Sequence, residues 1–143
     1  MEVRILFLFI SILSVFGCMS SKQKFSASDL EGRWAFFEAK IKFLSNHNNS
    51  LKESFFVFYS DGTAEYQNIP RSNGFEIVTF LSGEGEWEFT KHPNGDLAIL
   101  FRHSSQKFIQ TIDISFDKNT NKHFLLIPVD IDTSLGINYI REL

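Results

Sequence analysis

Apolar and polar residues alternate along most of this chain, and short turn motifs interrupt the alternation. The clearest case is residues 84–89, where three glutamates share one side and Gly85, Trp87 and Phe89 share the other. A period of two residues is typical of a β-strand with one buried face, whereas helical spacing would scatter the glutamates around the axis. Asn94-Gly95 then marks a tight hairpin turn before the next alternating segment. The chain is therefore predicted to fold mainly as β-hairpins.

The same pattern recurs and predicts about eight or nine short strands. Turn signals such as Ser60-Asp61-Gly62 and Ser82-Gly83 separate them, and only one turn of helix is expected, at 26–31. The predicted strands are 33–41, 53–59, 63–69, 75–81, 84–89, 97–103, 108–116, 123–129 and 137–142. A consecutive antiparallel series avoids exposed edges when its first and last strands pair. We therefore expect an all-β fold, an antiparallel up-and-down β-barrel of about eight strands.

The beginning of the chain has the pattern of an export signal. Arg4 precedes an uncharged apolar run at 5–16, which is shorter than the roughly 20 residues that a membrane-spanning helix needs. The run ends in Ser14-Val15-Phe16-Gly17-Cys18, which resembles the lipobox of bacterial lipoproteins. The resemblance implies cleavage before Cys18, a diacylglyceryl thioether on its sulfur and an acyl chain such as palmitate on its amine. Two or more acyl chains anchor a protein stably to a membrane.

The predicted organisation follows from this start. Residues 1–17 are the lipoprotein signal peptide, 18–28 a lipidated, flexible tether rich in Ser and Lys, and 29–143 the barrel domain. A buried core helix at 5–16 is the alternative, but the run has no polar face. The anchor implies a location in the cell envelope. Because no Asp follows Cys18, the sorting rule of enteric bacteria implies the outer membrane if the source is Gram-negative.

Composition limits the function classes. The formal net charge is −3 and no basic cluster marks a phosphate-binding face, so nucleic acid is not an expected partner. The single cysteine excludes an internal disulfide, and the chain contains 17 phenylalanines. Large aromatic side chains must therefore stabilise the domain by burial alone.

Four short motifs, in order, carry a resemblance to a known family. They are Leu30-Glu31-Gly32-Arg33-Trp34, Phe58-Tyr59-Ser60-Asp61-Gly62-Thr63, Gly85-Glu86-Trp87 and Tyr139-Ile140-Arg141. The first resembles the opening Gly-x-Trp strand of lipocalins, and the others resemble the F-x-x-D-G-T hairpin, the G-x-W strand and the last strand of small bacterial lipocalin-like lipoproteins. The resemblance spans most of 30–143. It implies that Trp34 lies at the closed end of the barrel with Arg141 over its indole, a cation–π contact that we interpret as structural closure.

Alternation places a largely aromatic set inside the predicted barrel. The candidate ligand-binding residues are Phe36, Glu38, Lys40, Phe56, Phe58, Trp87, Phe89, Phe101 and Tyr139. Glu38 and Lys40 continue the inward positions of Trp34 and Phe36, and a buried charge is costly unless it is paired or used, so they are candidates to hold a ligand's polar head. A bulge in the first strand, or a barrel mouth open to water, are the alternatives. An eight-stranded barrel either fills with side chains or holds one small ligand, and both outcomes remain open.

No motif indicates catalysis, a metal site or a cofactor. The four histidines are not at metal-ligand spacing, and no nucleophile elbow or phosphate loop is present. The sequence therefore favours a non-enzymatic, membrane-anchored lipocalin-like lipoprotein that binds a small hydrophobic ligand. The alternative is a periplasmic interaction, inhibitor or immunity lipoprotein with a packed barrel, whose partner is unknown and whose outward apolar residues include Phe37, Phe55, Val57 and Ile109. An enzyme in a barrel ranks third.

Overall fold

Eight antiparallel strands close into a barrel, each paired with the next along the chain and the last paired with the first. The structure is a computed structural model that describes residues 25–39, 48–73, 77–104, 108–130 and 135–143. Its strands are β1 (Gly32–Ala39), β2 (Phe55–Phe58), β3 (Thr63–Ser72), β4 (Ile77–Lys91), β5 (Leu97–His103), β6 (Ile109–Asp117), β7 (Lys122–Asp130) and β8 (Leu135–Arg141). The predicted all-β, up-and-down barrel of eight strands is confirmed.

The two ends of the barrel are covered differently. Odd-numbered strands end at what we call the upper end and even-numbered strands end at the lower end, because neighbours run antiparallel. At the upper end the helix α1 (Asn48–Lys52) joins β1 to β2 and buries Leu51 completely. At the lower end a 3-10 turn (Ala27–Asp29) leads into Leu30, which is also fully buried. The indole Nε1 of Trp34 donates a 2.8 Å hydrogen bond to the Leu30 carbonyl, which ties this turn to β1.

Aromatic side chains fill the middle of the barrel. Phe56, Phe58, Phe101 and Tyr139 are at most 1% exposed. The ring centroid of Phe56 lies 5.3 to 5.5 Å from the centroids of the other three, in stacked and edge-to-face pairs. Such pairs add to the free energy gained by burying the rings. This cluster accounts for how a chain without an internal disulfide holds its core.

One predicted turn is wrong. Ser82-Gly83 was expected to separate strands at 75–81 and 84–89, but Ile77–Lys91 is one continuous strand. Gly83 stays in the ladder opposite Tyr66, and the irregularity lies on β3, where the register shifts between Tyr66 and Ile69 and Asn68 has a φ of 50°. The backbone N–H of Asn68 donates a 2.9 Å hydrogen bond to the Ser82 hydroxyl. Ser82 and Gly83 therefore lie within β4, opposite an irregularity of β3, and do not end a strand.

Candidate ligand site at the upper end of the barrel

The predicted aromatic candidates lie on the inner face, but most of them pack against one another. Phe56, Phe58, Phe101 and Tyr139 form the central cluster already described. The remaining aromatic candidates are partly buried against that core, and they are Phe36, Trp87 and Phe89. The hydroxyl of Tyr139 shares a 2.6 Å hydrogen bond with that of Ser54, and burial raises the pKa of this phenol well above its ordinary value. These contacts assign the central aromatics to packing.

Trp87 joins two of the motifs at the lower end. Its backbone N–H donates to the Gly62 carbonyl at 2.8 Å, and its indole Nε1 donates to the Tyr59 carbonyl at 3.1 Å. Asp61 orders the same hairpin by accepting hydrogen bonds from the backbone and hydroxyl of Thr63, which lower the pKa of its carboxyl. The Asp-Gly-Thr hairpin and the Gly-x-Trp strand thus form one structural unit.

Glu38 does not continue the inward alternation of Trp34 and Phe36. The register of β1 on β8 shifts between Phe36 and Glu38, so that Glu38 stands opposite Asn138 and accepts a 3.0 Å hydrogen bond from its amide. Asn138 lies between the fully buried Ile137 and Tyr139 and therefore faces outward. This is the bulge that the sequence left as an alternative, and it places the Glu38 carboxylate outside the barrel. Lys40 and Cys18, the predicted lipidation residue, lie outside the described residues.

Trp34 and Arg141 are direct cross-strand partners on β1 and β8. The guanidinium of Arg141 lies close over Gly32, because a Cβ built on that glycine would be 3.4 Å from Nε. Gly32 has a φ of 109°, which also favours glycine. The pair therefore spans the closure of the barrel, while a stacking contact between the guanidinium and the Trp34 indole stays a prediction.

A buried histidine with unpaired ring nitrogens lies at the upper end of the barrel. His103, the last residue of β5, is 4% exposed, and neither Nδ1 nor Nε2 has a hydrogen-bond partner. Three aromatic rings surround it, with centroids 4.8 Å away for Tyr66, 4.8 Å for Phe101 and 5.1 Å for Phe108. Buried polar side-chain atoms have partners in the large majority of cases. The two unpaired nitrogens therefore make His103 the main candidate for contact with a ligand inside the barrel.

Gln110 supplies a third unpaired atom next to His103. It lies on β6 opposite Phe101 and donates a 3.3 Å hydrogen bond from Nε2 to the Pro70 carbonyl, while its Oε1 has no partner. Burial lowers the pKa of His103 below its ordinary value; the Gln110 side chain opposes this shift and the charge of Arg71 adds to it. We name His103, Gln110, Tyr66, Phe101 and Phe108 the His103 site.

The upper part of β3 crosses over this site. The Ser72 hydroxyl donates a 2.7 Å hydrogen bond to the Val129 carbonyl of β7, and Pro70 receives the bond from Gln110. The Arg71 guanidinium lies 4.7 Å from the centroid of the Phe108 ring. His103, next to this part of the strand, is 4% exposed.

Sequence reasoning missed the His103 site although the signal for it was present. The alternation that places Ile99 and Phe101 inside also places His103 inside, and the alternation through Ile112 and Ile114 does the same for Gln110. Neither residue is in the predicted interior set, because each lies at the end of its strand, where alternation is least dependable. Only the pairing of β5 with β6 shows that the side chains of His103 and Gln110 lie next to each other.

An external groove of about 470 Å³ is the second feature of interest. It lies on the outer face and is lined by Phe37, Phe116, Phe124, Leu126 and several polar residues, including Glu38 and Asn138. Phe37 and Phe116 are 51% and 47% exposed. By contrast, Phe55, another predicted outward apolar residue, is covered by the guanidinium of Arg33 at 3.6 Å.

A second histidine, His92, makes a polar contact on the surface of the barrel. His92 Nε2 and Asp113 Oδ1 are 2.7 Å apart on the surface, with more than a third of each side chain exposed. Among the described residues no three His, Cys, Asp or Glu side chains are grouped so that they could hold a metal ion.

Within the described ranges, no helix has both the length and the apolar character needed to span a membrane. Compared with models of protein families, with curated proteins and with solved structures, the chain gives no match to any of them.

Proposed function

We propose that this protein is a lipid-anchored lipocalin-like lipoprotein of the cell envelope that binds a small, mostly apolar molecule at the upper end of its barrel. The observation that carries the binding proposal is the set of three unpaired buried atoms, His103 Nδ1, His103 Nε2 and Gln110 Oε1. Leaving a buried donor or acceptor unsatisfied costs about 1–3 kcal/mol, which a bound partner recovers. The surrounding rings supply the apolar walls typical of ligand sites.

The proposed role is binding and not catalysis. The polar groups of the His103 site are the His103 imidazole, the Gln110 amide and the Tyr66 hydroxyl, and among the described residues no hydroxyl or thiol is hydrogen-bonded to the His103 ring. The aromatic cluster below the site occupies the middle of the barrel. We therefore place the ligand above Phe101 and not along the whole barrel axis.

Native mass spectrometry of the protein isolated from its own host tests the binding proposal. We expect a small molecule to co-purify with the wild-type protein and to be lost in His103→Phe, which fills the site with an apolar ring. His92→Gln, a change at an exposed histidine of the lower end, should retain it. Apo mass alone for both the wild type and the control would contradict the proposal.

The membrane anchor has its own experiment, because it rests on the sequence motif at Cys18. Wild-type protein should incorporate labelled palmitate and fractionate with membranes, and Cys18→Ala should do neither. Ser20→Ala, which leaves the cysteine in place, is the control. A Cys18→Ala protein that keeps both the label and the membrane fraction would remove the anchor from the proposal.

A protein-interaction role is the second candidate, and the exposed apolar groove favours it. Large exposed apolar patches mark interaction sites in soluble proteins, and Phe37 and Phe116, each about half exposed, line this groove. A photo-crosslinking residue at Phe37 should then give one specific adduct in host cells, and Phe116→Ser should reduce it. A ladder of unspecific adducts, or none, would count against this role.

A further inference from the structure

We infer that one wall of the barrel lies against the bilayer that holds Cys18, and that the opposite wall faces water. The first, which we call the groove wall, is the outer face of β6, β7, β8 and β1, where the external groove lies. The second, which we call the acidic wall, is the outer face of β3 and β4. This orientation rests on the proposed membrane anchor and adds to it which face of the barrel meets the membrane.

The start of the described chain packs on the lower end of the barrel, next to the groove wall. The Phe25 ring lies 4.2 Å from the His123 ring of β7, and the His123 ring lies 4.8 Å from that of Phe116, which lines the groove. The Asp29 carboxylate accepts hydrogen bonds from the backbone N–H and the hydroxyl of Ser26, at 2.7 and 2.8 Å. These contacts hold the segment that follows the predicted anchor at one place on the barrel.

The length of chain between the anchor and this place limits how far the bilayer can be. An extended chain spans at most about 3.6 Å per residue, so Phe25 lies within about 25 Å of Cys18 whatever conformation joins them. A bilayer held at this distance is present at a high effective concentration next to the groove wall. A protein partner would have to be recruited from solution, with the loss of translational and rotational freedom that association costs. The anchor therefore favours lipid as the occupant of the groove.

The groove wall is apolar where it would meet lipid. Phe37 on β1 is 51% exposed, and its ring centroid lies 5.4 Å from that of Phe124 on β7. Leu126 extends the same lining along β7. Ile140 on β8 stands directly opposite Phe124 and shares its outward side. Exposed apolar patches of this kind mark membrane contacts as well as protein contacts.

Two carboxylates limit the depth of this contact. Glu38 and Asp117 also line the groove, and both have partners. Glu38 accepts a hydrogen bond from the Asn138 amide, and Asp117 accepts one from the Asn119 backbone N–H at 2.8 Å and stands opposite Lys122. Charged groups are costly in the hydrocarbon of a bilayer. The groove wall therefore meets the headgroup region and does not insert more deeply.

The acidic wall is the face least suited to lipid. Glu65 on β3 stands directly opposite Glu84 on β4, and Glu86 and Glu88 continue the outward row. Arg102 of β5 lies 3.3 Å from Glu88. In the closed ring of eight strands, β3 and β4 are four positions from β7 and β8, so the two walls lie on opposite sides. Carboxylates lose hydration against lipid and are repelled by anionic headgroups, so this wall turns to water.

A matched pair of labels measures the orientation. Cys18 is the only cysteine of the chain and is consumed by lipidation in the proposed protein, so an introduced cysteine takes a fluorophore at one place. Ser115→Cys on the groove wall and Glu65→Cys on the acidic wall are each two residues from the lower end of their strands. The full-length lipidated protein is reconstituted in vesicles of phosphatidylethanolamine and phosphatidylglycerol that carry a headgroup spin label. We expect at least about twofold stronger quenching at Ser115→Cys, because the walls lie at least about 10 Å apart across the packed core.

Two further variants test the role of the apolar lining. Phe37→Glu places a charge on the groove wall and should bring the quenching ratio of the two labels close to one. Val78→Glu is the matched control, because Val78 is also 51% exposed but lies on β4, outside the groove. It should leave the ratio unchanged. The comparison of the two labels in the otherwise unchanged chain does not depend on how well either variant folds.

The outcomes separate the orientation from the anchor. Protein that does not float with the vesicles would contradict both. Protein that floats but shows equal quenching of the two labels keeps the anchor and overturns the orientation. Stronger quenching at Glu65→Cys also overturns it, and would leave the groove open to a protein partner.

Discussion

Trp34 of β1 stands directly opposite Arg141 of β8, so that the opening Gly-x-Trp segment and the closing arginine meet across the seam of the barrel. Along the same seam, Arg33 and Glu142 form a 2.6 Å ion pair, with about half of each side chain exposed. Exposed pairs add little free energy. The buried indole of Trp34, hydrogen-bonded to the Leu30 carbonyl, therefore contributes more to the stability of this closure than the ion pair does.

Replacing each tryptophan by phenylalanine separates buried from exposed indole contacts. Trp34→Phe removes a fully buried hydrogen bond and leaves a cavity, so we expect the free energy of unfolding to fall by about 2–3 kcal/mol. Trp87→Phe removes the exposed hydrogen bond to the Tyr59 carbonyl and should cost about 1 kcal/mol or less. Urea unfolding of both variants measures the difference. An equal loss in the two would contradict the structural role given to Trp34.

Gly85 is required by close packing. A Cβ at this position would be 2.5 Å from the Arg102 carbonyl oxygen and 2.7 Å from Cζ of the Phe101 ring. Gly85→Ala should therefore reduce stability by about 3 kcal/mol, through overpacking of the central cluster. Gly95→Ala is the matched control, because its Cβ would meet nothing within 4 Å and only its φ of 91° is unfavourable. We expect that control to cost about 1 kcal/mol in thermal unfolding.

The hydroxyls of Ser54 and Tyr139 depend on each other. Their 2.6 Å hydrogen bond is buried and joins the residue before β2 to β8. Ser54→Ala and Tyr139→Phe should each cost about 1–2 kcal/mol, because each leaves one buried hydroxyl without its partner. The double variant should cost about 1 kcal/mol less than the sum of the two. A double-mutant cycle in urea measures this coupling, and additive losses would show that the hydroxyls act independently.

His103 should make the ligand-free protein sensitive to mild acid. Burial holds its pKa in the folded protein below the ordinary value of 6.5, so the unfolded chain takes up the proton first as the pH falls. The stability that depends on neutral His103 is complete above about pH 6.5 and is lost as the pH drops from there toward the folded pKa. His103→Phe should remove this part of the pH dependence.

The same variant also tests the cost of the unpaired nitrogens. At neutral pH, His103→Phe should raise the stability of the ligand-free protein by about 1 kcal/mol, since two unsatisfied atoms are replaced by an apolar ring. In His103→Phe the free energy of unfolding should still depend on pH, but less steeply, because burial lowers the pKa of His123 as well. Unfolding measured from pH 5 to 8 checks both expectations. A variant that is less stable at pH 7 and has an unchanged pH slope would contradict them.

Two local features show where sequence reasoning reached its limit. The alternation from Trp34 through Phe36 predicted an inward Glu38, but a single extra residue in the ladder moves that carboxylate to the outer face. Ser82-Gly83 has the composition of a turn, yet it continues β4 because Asn68 on the facing strand absorbs the irregularity. Both outcomes depend on the partner strand. For Glu38 that strand is β8, which is distant in the sequence, and for Ser82 it is β3, on the other side of the hairpin.

The order of strands, the inner aromatic face and the closure of the barrel followed from the sequence alone, because period-two alternation and turn residues are local properties of the chain. The choice between a packed centre and an open site was decided only by tertiary structure. Phe56 fills the middle by contacting three other rings, and His103 is left next to Gln110 with its nitrogens unpaired. Packing and hydrogen-bond satisfaction depend on distances between side chains from different strands, and alternation within one strand does not specify those distances.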